Sequence, residues 1–475
     1  MKKYLAILLA ATLVFACAGS AFSEGAEASG PSLVEACIVT EVLDWGETVT
    51  ALRLEYTEEI NLDAIEYSNE HPGKMTYQLI NDRAIVNLYV NNSGVKDDIQ
   101  LYGKYVFINL GIDSQDQTKY RDQVVFNTNN RTRDVNLSQF FVFQQEPIVT
   151  RAGNVIPPIA RIVTSREIRI GVDDYTTFTY VNEETGATIY CQLYIPAGYE
   201  AKDTSLAALP LVVHYPSGDY RYEDGGKYLG ALFTHPDCLF WSYPEAQAAH
   251  SSFVLTVGGP RDDTWGSAYE DSAMEQNYVA AIDEIIANYN VDTSRIYAIS
   301  LAGGSSAMWY TILGKPDLFA GFISTAYEFY HTFKDVQVGE DTMKEIYDLM
   351  PFWMFAGMTD GSGAGCLGSD DTRLKGQRLL DQATNVNAAG YNIDIAYGQE
   401  GELMWNGLLR GASAEALATA QLARAAASGS NHLVTLYLPN TILQTMHWSW
   451  NATYSNAVVR DWLFQQVNDA PYQPD

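Results

Sequence analysis

The chain has 475 residues, and its 29 Lys and Arg stand against 58 Asp and Glu, which gives a net charge of -29 at pH 7. Such a charge repels nucleic acid and anionic lipid surfaces, so it argues against either as a partner and is typical of a soluble protein outside the cell. The length exceeds what one hydrophobic core usually organises, and we expect two or three domains.

The N-terminus resembles a secretion signal. Met1-Lys2-Lys3 precedes an apolar run from Leu5 to Ala16. The run is shorter than the roughly 20 residues of a membrane-spanning helix, which favours a cleaved signal over a permanent anchor. We therefore predict that residues 1–30 are a signal peptide and spacer, and that the mature protein is extracellular, periplasmic or anchored at the cell envelope.

Two cleavage sites compete in this segment. Leu13-Val14-Phe15-Ala16-Cys17 resembles a bacterial lipoprotein box, in which Cys17 becomes lipidated and tethers the mature protein to a membrane. Ordinary signal-peptidase cleavage near Ala18 to Ser23, or near 26–28, is the alternative.

The remaining cysteines give no sign of a metal site, because close pairs of the kind that bind zinc are absent from the sequence. They are Cys37, Cys191, Cys238 and Cys366. Export permits a disulfide, with three connectivities for four cysteines, and isolated buried thiols are the other expectation. We expect neither a metal nor a cofactor.

Residues 31–150 alternate apolar and polar side chains in short runs, which is typical of β-strands with one buried face. The apolar positions of three such runs are Leu52, Leu54, Tyr56, Val86, Leu88, Val90, Val106, Ile108 and Leu110. The pattern predicts a small all-β sandwich. Gly153 and Pro157-Pro158 then indicate a linker over 151–170.

From residue 171 onwards, strands alternate with helices, which predicts an α/β domain with a mostly parallel sheet over 171–475. The predicted strands cover Leu209 to Val213, Ser252 to Val257, Arg295 to Ile299 and Phe352 to Phe355. Tyr278 to Tyr289 shows helical spacing. The alanine-rich stretch from Ala412 to Ala427 predicts a further helix, which we expect to serve as a cap or insertion.

Several motifs around the third predicted strand resemble one known family. Asp292, Arg295-Ile296-Tyr297, Trp309 and Pro316-Asp317-Leu318-Phe319 match it without a gap. The chain resembles the polyhydroxybutyrate-depolymerase and feruloyl-esterase type of α/β-hydrolase, in the subgroup that carries an N-terminal immunoglobulin-like domain. The resemblance covers about residues 190–464, and the preceding β domain more loosely.

The resemblance implies a serine nucleophile on a tight strand-to-helix turn within Gly-x-Ser-x-Gly-Gly. On that register the nucleophile falls on Ala302 and the preceding glycine on Ser300, which leaves Gly304 in place. Alanine has no atom that attacks an acyl carbon, and losing the serine typically costs on the order of 10⁶ in turnover.

Three other serines lie nearby. Ser300 becomes a candidate nucleophile if the strand ends two residues early, because Ala298-Ile299-Ser300-Leu301-Ala302 is also a small-x-Ser-x-small turn. Ser305 and Ser306 fit less well, since the helix should already have begun there. A relocated nucleophile at Ser300 and the absence of any nucleophile both stay open.

The acid and the histidine of a triad are better matched. The resemblance implies that Asp360, in Ala356-Gly357-Met358-Thr359-Asp360, is the triad acid, although Ala356 replaces the family's histidine. An Asp in a Gly-rich loop is otherwise a turn residue. His447-Trp448-Ser449-Trp450, with Tyr454 and Trp462-Leu463-Phe464, matches the family's histidine motif and implies that His447 is the general base. A packed surface histidine is the alternative for His447.

Oxyanion donors should follow the strand at 209–213, where the chain reads His214-Tyr215-Pro216-Ser217-Gly218-Asp219. The backbone N–H groups of Ser217, Gly218 and Gly303 are the candidate donors. The family's glycine pattern is altered here. We expect His250, a lone histidine, to lie at a helix end rather than to bind a ligand.

Two hypotheses follow. The first is an exported carboxylic ester hydrolase that acts on a small or polymeric ester through Ser300, Asp360 and His447. The second is a catalytically inactive relative that uses its cleft, or the β domain, to bind an ester, a glycan or a surface partner. Asp360 and His447 favour the enzyme, whereas Ala302 and the altered 216–218 loop favour the binding protein.

Overall fold

A computed structural model describes residues 30–66, 75–79, 83–113, 126–127, 132–133, 135–183, 186–217, 230–258, 272–328, 331–333, 336–338, 340–361, 374–397 and 404–474. A β unit comes first and is followed by a unit of alternating strands and helices. Residues 1–29 with Cys17, and also Gly218 and Cys366, lie outside the described residues.

The N-terminal unit is built from mostly antiparallel strands and contains the 3₁₀ turns Leu62–Ala64 and Leu137–Gln139. Its strands are β1 (Leu33–Leu43), β2 (Gly46–Asn61), β3 (Tyr77–Leu79), β4 (Ile85–Asn91), β5 (Tyr102–Leu110), β6 (Phe126–Asn127), β7 (Thr132–Arg133), β8 (Phe141–Gln144), β9 (Ile148–Val149), β10 (Val155–Ile156), β11 (Ile159–Val163) and β12 (Arg166–Arg169).

Two of its sheets enclose one apolar core. The larger has the order β12-β1-β2-β5-β4, and the smaller has the order β11-β8-β3. Leu52 and Leu54 from the larger sheet and Val142 from the smaller are fully buried in the same cluster. The hydroxyls of Tyr56 and Tyr77 bond across the two sheets at 2.9 Å. The predicted sandwich is therefore confirmed.

The linker predicted at 151–170 is wrong. β11 pairs with β8 in the smaller sheet, and β12 pairs in parallel with β1 in the larger one, with Ile168 opposite Val39. Gly153 and Pro157-Pro158 lie in turns between short strands. Such turns have the same glycine and proline content as a linker, which is why the sequence indicated one. The sandwich extends to Arg169. Val86, predicted to be buried, is exposed, because the pairing of β4 with β5 shifts between Ile85 and Asn87.

The second unit contains a nine-stranded sheet of order β13-β14-β16-β15-β17-β18-β21-β23-β22, in which every pair from β16 to β22 is parallel. The strands of this unit are β13 (Tyr175–Val181), β14 (Thr188–Tyr194), β15 (Leu209–Tyr215), β16 (Phe253–Gly258), β17 (Val291–Leu301), β18 (Gly321–Thr325), β19 (His331–Phe333), β20 (Val336–Val338), β21 (Phe352–Gly357), β22 (Ile393–Ala396) and β23 (His432–Tyr437).

Helices cover both faces of this sheet. They are α1 (Gly230–Thr234), α2 (Leu239–Ser242), α3 (Pro244–Ala249), α4 (Ser272–Asn288), α5 (Gly304–Gly314), α6 (Glu340–Leu349), α7 (Lys375–Ala388), α8 (Ala412–Ser428), α9 (Ser449–Tyr454) and α10 (Ala457–Phe464). In β15, Leu211 and Val213 face a core shared with α4, α5 and α7, whereas Val212 faces one shared with α2, α9 and α10. Because both faces are buried, the central strands are continuously apolar.

The predicted α/β domain is thus confirmed, with one helix placed differently. α8 is not a cap: Ala418 and Ala425 are buried in the core, and Gln421 Nε2 donates to the backbone oxygen of Val434 in β23 at 3.1 Å. Its small side chains let the helix lie close to the sheet. Within the described part of the chain, no helix is both long and apolar enough to cross a membrane.

The three described cysteines, Cys37, Cys191 and Cys238, are buried free thiols, as expected of isolated thiols. His250 ends α3, as predicted, and its Nε2 lies 2.9 Å from Oδ1 of Asp461.

Candidate active site

The strand-to-helix turn lies at Ala302. β17 continues to Leu301 and α5 begins at Gly304, so Ala302 and Gly303 alone make the turn. Ala302 has a φ of 45°, in the left-handed region that costs a non-glycine residue about 1–2 kcal/mol. Its N–H donates to the backbone oxygen of Thr325 at 2.9 Å, which holds the turn against β18. This is the conformation and position of a nucleophile elbow, with a methyl group in place of a hydroxyl.

Gly304 shows why one glycine of the elbow pattern is present. A Cβ built on Gly304 would lie under 3.0 Å from the backbone oxygens of Tyr215 and Pro216. In the sheet, Tyr215 is the register partner of Ser300, so the loop after β15 passes directly beside the start of α5. The absence of a side chain at Gly304 therefore allows the candidate oxyanion loop to approach the elbow.

Ser300 lies inside β17, two residues before the turn. Its side chain is fully buried, and its Oγ bonds with Ser305 Oγ at 2.8 Å rather than with His447. Its backbone N–H donates to the hydroxyl of Tyr454 at 3.1 Å. The early end of the strand that a Ser300 nucleophile requires is not found, because β17 runs to Leu301.

The other two serines lie in the first turn of α5, as the helix prediction implied. Ser305 Oγ also bonds with Ser324 Oγ at 3.1 Å, which makes a buried chain of three hydroxyls with Ser300. The hydroxyl of Ser306 bonds with the hydroxyl of Tyr327. Both side chains are buried, and their hydroxyls bond to other buried side chains.

Asp360 and His447 form a hydrogen-bonded pair. Asp360 follows β21, its side chain is almost fully buried, and its Oδ2 lies 2.8 Å from Nδ1 of His447. The carboxylate accepts the Nδ1 proton, so the ring's Nε2 is the atom that takes a proton in a triad. The His447 side chain keeps 21% of its exposure, which is consistent with a site at the surface.

Close backbone packing fixes this pair. A Cβ on Gly357, the last residue of β21, would lie under 3.0 Å from the backbone oxygen of Met446. Asp360 donates its N–H to Gly357 in a tight turn at 3.1 Å, and its own backbone oxygen accepts from the N–H of Lys375 at 2.9 Å. The acid loop is thus held between the His447 loop and the start of α7.

The sheet order brings these elements to one edge. The Ser217 loop follows β15, Ala302 follows β17, Asp360 follows β21 and His447 lies beyond β23, and the carboxyl ends of parallel strands share an edge. Gly303 directly follows the nucleophile position, and the residue at this place supplies an oxyanion donor in α/β-hydrolases. Among the described residues, the N–H of Gly303 donates no hydrogen bond. Ser217 is buried in the loop after β15, and the donor roles of Ser217 and Gly218 stay predictions, the latter outside the described residues.

A second histidine–carboxylate pair involves β15, the strand before the candidate oxyanion loop, and sequence reasoning missed it. Nε2 of His214, in β15, lies 2.7 Å from Oδ2 of Asp237, and both side chains are buried. Burial opposes the charge on His214, but Asp237 and Cys238 outweigh it and raise the pKa of His214 to about 10. His214 Nδ1 lies 3.2 Å from Thr256 Oγ1. The pair ties the strand before the oxyanion loop to the segment before α2.

A buried ion pair, also missed, lies behind Asp360. Oε1 of Glu328 accepts from Arg378 Nε at 2.9 Å and from Arg378 Nη2 at 2.5 Å, and both residues are buried. Burial raises the pKa of Glu328, against the neighbouring charges of Lys375 and Arg378. Glu328 follows β18 and Arg378 lies in the first turn of α7. No spacing in the sequence pairs two such distant residues.

Known proteins share this architecture. Residues 35–157 match the family model of the esterase Ig-like N-terminal domain. A crystal structure of a thermostable esterase is similar to the chain with a TM-score of 0.65 and 22% sequence identity, over 91% of this chain and 99% of that chain. At that identity the similarity shows the fold.

Feruloyl esterases are also among the structural neighbours, with lower scores. The feruloyl esterase module from Clostridium thermocellum complexed with sinapinate has a TM-score of 0.37 and 11% identity, over 63% of this chain and 90% of that chain. The ferulic acid esterase from Anaeromyces mucronatus has a TM-score of 0.36 and 10% identity, over 60% and 90%. Among curated protein sequences, none matches. Residues 35–157 thus match the esterase Ig-like N-terminal domain, and the unit that follows them has the α/β-hydrolase fold.

Proposed function

We propose that this protein is related to the carboxylic ester hydrolases but has lost their nucleophile. We propose further that it binds esters at the site around Ala302 without forming an acyl-enzyme. The observation that supports the proposal is the positive φ of Ala302, which puts a methyl group at the tip of the elbow. The Asp360–His447 pair is present, and the residues of the turn, Ala302 and Gly303, carry no side-chain oxygen.

A slow reaction with water is the second candidate, and the 2.8 Å contact between Asp360 and His447 favours it. In this route the oxygen of a water molecule attacks the acyl carbon while Nε2 of His447 takes the water's proton. The tetrahedral oxyanion then faces the N–H of Gly303. Collapse expels the alkoxide, which receives the proton from Nε2. Enzymes without their serine retain roughly 10³ to 10⁴ over the uncatalysed rate.

Reaction with a fluorophosphonate probe, together with calorimetric binding of p-nitrophenyl and feruloyl esters, tests the proposal. We expect the native chain to bind an ester and to remain unlabelled, with any hydrolysis abolished by His447→Ala. Labelling of the native chain that disappears in Ser300→Ala would instead establish a relocated nucleophile.

We also propose that the protein is exported, on the strength of Met1-Lys2-Lys3 and the apolar run that follows. Mass spectrometry of the mature N-terminus tests this, because it locates the cleavage site. A mass that includes a lipid on Cys17 would place the protein at a membrane, and cleavage beyond Cys17 would leave it untethered. An uncleaved Met1 in the cell's cytoplasm would contradict export.

A further inference from the structure

A turn of the Ig-like sandwich contacts the segment that carries His447. The turn between β1 and β2 contains Asp44 and Trp45. The backbone oxygen of Asp44 accepts from Asn451 Nδ2 at 3.0 Å and pairs with His235 Nδ1 at 3.2 Å. Asn451 lies in α9, four residues after His447. One carbonyl of the N-terminal domain therefore holds two side chains of the hydrolase unit.

The same turn is anchored by charge and by packing. The Asp44 carboxylate lies 3.0 Å from Nη2 of Arg410, which also donates to the backbone oxygen of Leu409 through Nη1. Val42, at the end of β1, is buried in the hydrolase core together with Trp241 and Trp450. Trp45 is also buried. Val42 and Trp45 therefore hold the turn by burial, and the partly exposed ion pair of Asp44 with Arg410 adds a contact at its edge.

His235 extends this contact to Trp448 and Trp450, the two tryptophans that follow His447. The centroid of its ring lies 4.5 Å from that of Trp448 and 5.1 Å from that of Trp450, both in edge-on contacts. The centroid of the Trp450 ring lies 5.2 Å from that of the His447 ring. Burial lowers the pKa of His235 to about 4, so its ring is neutral at pH 7. A carbonyl oxygen only accepts, so the single ring proton is on Nδ1 and is given to Asp44.

We infer that the Asp44 turn of the Ig-like domain is a positioning element of the active site, which holds the His447 segment in place through Asn451 and His235. The N-terminal domain is in this sense part of the site. The inference rests on the proposed role of the Asp360–His447 pair, and it does not depend on whether the native chain hydrolyses esters.

The test uses the full chain with His235→Phe combined with Asn451→Leu, which keep the packing volume but remove both hydrogen bonds to Asp44.

Proton NMR follows the Nδ1–H resonance of His447, which Asp360 shifts downfield. The Nε2–H of His250, bonded to Asp461, reports on the fold. Arg151→Gln is the control, because it removes an ion pair with Glu59 on the surface of the Ig-like domain. Asn451→Leu alone repeats the test with a smaller perturbation.

We expect the double variant to broaden or lose the His447 resonance while the His250 resonance persists, and the control to change neither. In an Ala302→Ser background, fluorophosphonate labelling should slow about tenfold, because misplacement of a catalytic group by a fraction of an ångström is costly. A sharp His447 resonance in both the double and the single variant, with labelling within twofold, would overturn the inference. Labelling of the native Ala302 chain would contradict the proposed function and leave this inference standing.

Discussion

Nδ1 of His447 lies 2.8 Å from Oδ2 of Asp360, although the two residues come from loops beyond different strands. The pair is assembled by the backbone contacts of Gly357 with Met446 and of Asp360 with Lys375, none of which involves the elbow. The loss of a nucleophile at Ala302 therefore leaves the acid and the base in place, and the site's chemistry can be tested separately at each position.

Removal of the Ser300 hydroxyl should leave reactivity unchanged. Ser300→Ala deletes a buried hydrogen bond to Ser305, which keeps its bond with Ser324, so we expect a loss of about 1 kcal/mol in the free energy of unfolding. Urea unfolding and probe labelling measure the two effects. Ester hydrolysis that falls more than tenfold in Ser300→Ala would show that the serine reacts.

Gly304→Ala should disrupt the elbow. The new Cβ meets two carbonyl oxygens of the loop after β15, both of them backbone atoms that cannot rotate away. We expect a destabilisation of roughly 1–3 kcal/mol, typical of overpacking. Gly361→Ala is the matched control, because its Cβ would make an ordinary contact of 3.7 Å with Leu374. Equal unfolding midpoints for the two variants would contradict the described approach of loop and helix.

Glu328→Gln should destabilise the chain by about 3–5 kcal/mol, because it breaks the buried ion pair of Glu328 with the guanidinium of Arg378. The double variant Glu328→Leu with Arg378→Met removes both charges and should recover most of that loss. Denaturant unfolding of the three proteins tests the pair. A single variant as stable as the native chain would mean that Arg378 is not buried against Glu328.

Alkaline pH should weaken the contribution of His214. Its folded-state pKa, about 10, lies above the unfolded value near 6.5, so the proton on His214 is held more tightly in the native state. The resulting stabilisation is complete below about pH 6.5 and is lost as the pH rises through about 10. The difference in unfolding free energy between the native chain and Asp237→Asn should shrink from about pH 6.5 to about pH 10. A constant difference would contradict an imidazolium–carboxylate pair.

The sequence predicted both folds, because apolar strands and helices are local patterns, whereas the pairing of Asp360 with His447 was implied by the family resemblance of their motifs. It left Ala302 and Ser300 unresolved, since the choice depends on where β17 ends, and that end is set by register with β18. The links from Asp44 to His235 and Asn451, and from His214 to Asp237, join distant segments. No periodicity encodes such contacts, so only the structure reveals them. The strands of 151–170 were missed because turns dominate their composition.

Ala302→Ser tests the central claim most directly, because it adds one oxygen to a turn that already has the elbow's conformation. We predict that the fluorophosphonate probe labels this variant at the introduced hydroxyl and that hydrolysis of p-nitrophenyl esters rises roughly a hundredfold or more. Both gains should disappear when His447→Ala is added. A variant that folds, binds esters as the native chain does and still remains unlabelled would contradict the account of Ala302 as the vacant nucleophile position.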